Sequence, residues 1–100
     1  MNNESPLLSL LQFSLDKKGI STNEYLIGEL GDEKKTNDSL CLLANGDTWI
    51  VAYAERGIIS EQSVHSSLRV AIKDFYARLA ITENPWTFRA EWESKTGKQL

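Results

Sequence analysis

One hundred residues carry 11 Lys and Arg against 14 Asp and Glu, a formal charge of −3, with 41% apolar and 25% charged residues. Domains usually hold about 100–150 residues, so the chain is read as one domain over 1–100, too apolar to be disordered. The acidic balance excludes a general binder of nucleic acid or anionic membrane, and no uncharged run approaches the roughly 20 residues of a membrane span.

The first predicted element is a helix. Ser5 is a candidate cap, since its hydroxyl can accept from an orphan backbone N–H, and Pro6 suits the first helical position. Leu7, Leu8, Leu11 and Leu15 recur at three- and four-residue spacing and mark one apolar face, widened by Leu10 and Phe13. Gly19 supplies the left-handed residue that commonly ends a helix. The uncharged stretch Ser5–Leu15 has no basic leader and runs straight into Asp16, Lys17 and Lys18, so it reads as part of the fold of a cytoplasmic protein, not as a signal segment.

Strands follow. Tyr25–Leu30 is short and apolar, and Gly31–Asp38 is a polar loop. Leu40–Ala44 and Trp49–Ala54 are rich in apolar, β-branched and aromatic residues, with Asn45-Gly46 between them as a type I′ hairpin signal. Trp49, Val51 and Tyr53 share one face of the third strand; Ile50, Ala52 and Ala54 share the other. Neither face is polar, which places this strand centrally or with its second face partly covered. Ile58–Ser66 is diluted by Ser, Glu and Gln and reads as a connector.

A second helix is predicted over Ser66–Ile81, capped by Ser66, with Leu68, Ala71, Ile72, Phe75 and Leu79 as its apolar stripe. Arg69, Lys73, Asp74 and Arg78 fall largely on its wet side, and Asn84-Pro85 breaks it. In the Trp-rich tail, Trp86, Phe88, Ala90 and Trp92 alternate with polar residues, which favours a strand. Asn84, Pro85 and the Phe88–Trp92 spacing also fit a short helix, and Ser94–Leu100 is expected to fray. The expected fold is α+β: an N-terminal helix, a three-stranded antiparallel meander, a second helix and this tail.

Candidates for chemistry are few. His65 is the only histidine and is expected to be solvated or helix-capping. Cys41, the only cysteine, lies in an apolar run and reads as a small core residue. The Asp and Glu residues show no metal-ligand spacing and the glycines no phosphate loop, so no metal and no cofactor is expected. Charge is partitioned, however. The segment 21–47 has six acids (Glu24, Glu29, Asp32, Glu33, Asp38, Asp47) against Lys34 and Lys35, whereas 66–80 has Arg69, Lys73 and Arg78 against Asp74. An acidic strand-and-loop half suits a basic protein partner.

The run Leu40–Gly57, with Trp49-Ile50-Val51 followed by Tyr53 and then Glu55-Arg56-Gly57, continues to a helix bearing Ala71 and Phe75. It resembles small bacterial immunity proteins of polymorphic-toxin and contact-dependent growth inhibition systems, over about Leu7–Leu79. Val64 stands where an aromatic is expected, and the helix start is Ser-rich where the family tends to be acidic. The resemblance implies a non-enzymatic, stoichiometric inhibitor that binds a cognate toxin C-terminal domain, many such toxins being basic nucleases. The inhibitor is expected to be monomeric, with no direct contact to nucleic acid or membrane. Asp32, Glu33, Asp38 and Asp47 are the first candidates for contact, with Glu55 and Trp86 second. Glu55-Arg56-Gly57 also has a structural reading: Gly57 allows positive φ at the strand exit, and Glu55 and Arg56 point to opposite faces, where one can fix the helix. Two other classes compete. A small acidic secretion chaperone would be a dimer that binds an unfolded effector segment. A small hydrolase or nuclease would use His65 with Glu55 or Arg56.

Overall fold

The structure, a computed structural model, describes residues 5–35, 38–81 and 85–100. Helix α1 (Ser5–Lys17) precedes strands β1 (Tyr25–Glu29), β2 (Ser39–Asn45), β3 (Thr48–Glu55) and β4 (Ile58–His65), and helices α2 (Leu68–Arg78) and α3 (Arg89–Thr96) follow. Two 3₁₀ turns, Asp32–Lys35 and Pro85–Phe88, complete the order.

The sheet has four strands in the order β1-β2-β3-β4, not three, and it is mixed. β1 runs parallel to β2, with Tyr25 opposite Leu40 and Glu29 opposite Ala44. This corrects the antiparallel meander. A hairpin needs only a tight turn, but the chain after β1 enters the Asp32–Lys35 turn, whose Lys34 lies against Gly57 at the end of the sheet where β2 begins. The segment read as a connector is β4, the partner of β3 and an edge of the sheet. Its alternation is hidden by a bulge. Val51 faces Ser63 and Tyr53 faces Ser60, so Ala52 meets two residues, and Glu61 there takes φ 51°.

The two hairpin turns differ from each other. Asn45 pairs with Thr48, so the β2–β3 loop is Gly46-Asp47, with positive φ on Gly46 and not on Asp47. That is the pattern of a type II′ turn, one residue along from the expected Asn45-Gly46. Between β3 and β4, Arg56 (φ 55°) and Gly57 (φ 80°) are both left-handed, as a type I′ turn requires.

Both faces of the sheet are buried. Leu40, Leu42, Trp49 and Val51 meet Leu11 and Leu15 of α1 and Leu68, Ala71, Ile72, Phe75 and Tyr76 of α2. Tyr25 stands edge-on to Phe75, ring centroids 6.2 Å apart. The opposite face gathers Cys41, Leu43, Ile50, Ala52 and Ala54. The Asp32–Lys35 turn lies over this face: a side chain on Gly28 would strike the Asp32 carboxylate, and Gly57 lies against the Lys34 backbone.

Helix ends follow local chemistry. Ile20 N–H bonds Leu15 O and Gly19 N–H bonds Asp16 O, closing α1 at the predicted glycine. Helix α2 is shorter than predicted: Ser67, not Ser66, accepts from Val70 N–H, and the end comes at Leu79. The tail is helical, not a strand. Trp92 is fully buried, and its indole N–H donates to Ser9 Oγ of α1 at 3.1 Å. The 3₁₀ turn and α3 together bring Trp92 back to α1, which the alternation in the sequence does not show. Ser94 to Thr96 continue α3, and Gly97 caps it in a left-handed conformation. Asn84 lies outside the described residues, while Pro85 opens the 3₁₀ turn leading to α3.

Candidate functional site

One end of the sheet gathers the N-termini of β1 and β2 and the β3–β4 turn. Glu24 precedes β1, Asp38 precedes β2 and Glu55 closes β3. All three are exposed. Together with Ser39, Leu40, Tyr53, Ala54, Ser60, Arg78 and Leu79 they line an open groove of about 460 Å³. The Tyr53 ring is part of this lining, with the Arg78 guanidinium 5.4 Å from its centre.

Arg78 does not neutralise this rim, because its charge is already engaged. Nε donates to Asp74 Oδ1 at 3.0 Å and Nη2 donates to Ser63 Oγ at 3.0 Å. Asp74 also accepts from His65 Nε2, at 2.8 Å to Oδ2. Burial pushes the Asp74 carboxyl up, but the hydrogen bonds and charges of His65 and Arg78 outweigh it and hold the carboxyl below its ordinary value. His65 is therefore neither solvated nor a cap: it ties β4 to α2. Asp74 and Arg78, expected on the wet side, are mostly covered by this network, with side chains 22% and 16% exposed.

The sequence-predicted contact residues separate. Asp38 and Glu55 meet at the groove. Asp38 Oδ1 also accepts from Arg56 N–H at 3.0 Å and so braces the left-handed turn. Arg56 lies in that turn instead of on a strand face, and among the described residues neither it nor Glu55 forms an ion pair to a helix. Asp47 is exposed at the opposite end of the sheet. Asp32 and Glu33 work within the fold: Asp32 Oδ2 accepts from Glu29 N–H at 2.9 Å and Glu33 Oε1 from Gly31 N–H at 2.7 Å. Glu33, a first candidate for contact, is only 4% exposed and its carboxylate is turned into the fold. Trp86 is half-buried against the helix-side core, with the Arg69 guanidinium 5.3 Å from its ring.

Glu24, Tyr53 and Arg78 were absent from the predicted set. The i,i+4 spacing of Asp74 and Arg78 is a signal for an ion pair on α2, but their link to His65 and Ser63 depends on β4 being a strand. Cys41 is fully buried. Burial raises its thiol pKa, the Ser39 hydroxyl lowers it and the Glu33 charge raises it, with the net effect upward, away from a nucleophilic thiolate. Among the described residues no group of three or more His, Cys, Asp or Glu is placed to hold a metal, and no helix is long and apolar enough to cross a membrane. Comparison with known proteins finds no matching family model, no similar curated protein and no similar solved structure.

Proposed function

We propose that the chain is a stoichiometric inhibitor of the immunity-protein kind, acting in the cytoplasm on the C-terminal domain of a cognate toxin, a basic nuclease. One observation supports this reading above the others. Three exposed carboxylates, Glu24, Asp38 and Glu55, rim a groove whose one cation among the described lining residues, Arg78, is already engaged by Asp74. Such a groove favours Lys or Arg side chains, with the Tyr53 ring for their apolar stems or guanidinium planes. Capture by complementary potential speeds encounter, which an inhibitor of a lethal enzyme needs.

The test is co-expression with the toxin domain encoded beside this chain. Protection of the cells and a one-to-one complex that survives purification are expected. Failure to protect, together with no complex between the purified proteins, overturns the reading.

A further inference from the structure

We propose that β4 pairs antiparallel with β4 of a second copy of this chain, about a two-fold axis through Glu61 and Gln62. β4 is an edge strand of eight residues, and Glu61 is its only acid. It carries Ile58 at 71% and Val64 at 58% exposure, an apolar edge of the kind that recruits another strand. Three features of the strand are compatible with this register.

Backbone phase comes first. Glu55 and Ile58 flank a two-residue turn and form its closing hydrogen-bonded pair. Tyr53–Ser60, Val51–Ser63 and Trp49–His65 are then the other bonded pairs, so Ile59 and Val64 turn their N–H and C=O outward. The β2–β3 turn checks this count. Asn45–Thr48 is its closing pair, so Trp49 bonds toward β4, as required. In the two-fold register Ile59 faces Val64 of the second copy, and both outward-directed sets meet.

Side-chain faces agree as well. The bulge adds one residue and reverses the alternation, so Ile59 and Val64 both lie on the face of Ala54 and Ile50. Pairing them extends that apolar row into the second copy and covers the exposed Val64. Ser60 and Ser63 share the helix-side face and face one another, as do Ile58 and His65. Charge is also permissive. Glu61 meets Gln62, never its own copy, so no like charges oppose. The bulge removes pairing at the centre and leaves two equal arms, Ile58–Ser60 and Ser63–His65. A surface whose residue i meets j while j meets i is what a closed two-fold dimer needs.

The dimer differs from the monomer expected from sequence and does not rest on what the groove binds, although Ser60 belongs to both surfaces. Sedimentation equilibrium of the full chain is expected to show a concentration-dependent species of twice 11.3 kDa. Val64→Lys, a change at an exposed position, is expected to abolish that species while leaving the circular dichroism spectrum unchanged. Mixing a Ser60→Cys chain with a Ser63→Cys chain under oxidation is expected to give a covalent heterodimer, and Ser60→Cys alone is expected to give none. A monomer at every concentration overturns the proposal. So does a dimer that survives Val64→Lys, or one in which Ser60→Cys and Ser63→Cys do not cross-link.

Discussion

Ala80 holds a conformation that its side chain opposes. Its φ is 59°, in the left-handed region, where it closes α2 as Ile81 N–H reaches Tyr76 O and its own N–H reaches Ala77 O. A left-handed residue with a Cβ costs about 1–2 kcal/mol, and glycine loses part of that gain to unfolded-chain entropy. Ala80→Gly is therefore expected to stabilise the chain by about 0.5–1 kcal/mol, read from the urea midpoint. Glu33 makes the opposite case. Its carboxylate is covered and accepts from Gly31 N–H, so Glu33→Ala is expected to cost about 1.5–3 kcal/mol in the same measurement. Because the residue is buried, the affinity for a partner should not move once the folded fraction is accounted for. An unchanged midpoint would refute its structural role.

At the scale of elements, α2 is held to the sheet by an apolar stripe and one polar strut. Phe75 is fully buried, so Phe75→Ala is expected to cost about 3–5 kcal/mol, much of a domain's usual margin of about 5–15 kcal/mol. The strut makes stability depend on pH. Asp74 ionises at lower pH when folded than when unfolded, so the unfolded chain binds the extra proton as pH falls. Its contribution is complete above the ordinary carboxylate range and is lost as pH drops through the lowered folded value. Melting temperatures measured from pH 7 down to pH 3 are expected to fall less steeply in Asp74→Asn than in the parent chain. Parallel curves would show that the strut carries no such linkage.

The elements differ in how far they can be read from sequence, for physical reasons. α1 is legible because Leu11 and Leu15 repeat at helical spacing and Gly19 stops it. β2 and β3 are legible because both of their faces are buried, which leaves continuous apolar runs. β4 is not, because an edge strand needs few apolar residues and the bulge at Glu61 breaks its alternation. The direction of β1 is not legible either: parallel pairing depends on how the connection between β1 and β2 returns, not on the composition of the strand. The tail is ambiguous by period, and the contact from Trp92 to Ser9, 83 residues apart, decides it. Asp38 and Glu55 were legible as acids, but their convergence with Glu24 follows from the parallel start of β1 beside β2.

Across the whole molecule, the helices cover one face of the sheet and the Asp32–Lys35 turn lies over the other, so the free surfaces are the sheet's ends and edges. The acidic groove occupies one end and Asp47 the other. α3 fastens the tail to α1 through Trp92, and Trp92→Ala is expected to cost about 3–5 kcal/mol, seen as a lower melting temperature. The central claim is that the end bearing Glu24, Asp38 and Glu55 meets a basic toxin domain. Stopped-flow association with the toxin domain encoded beside this chain tests it most directly. The double variant Asp38→Lys/Glu55→Lys is expected to associate about tenfold or more slowly, with a weaker salt dependence, while Asp47→Lys leaves the rate nearly unchanged. Equal rates for the double variant and the parent, or an equal loss in Asp47→Lys, would contradict it.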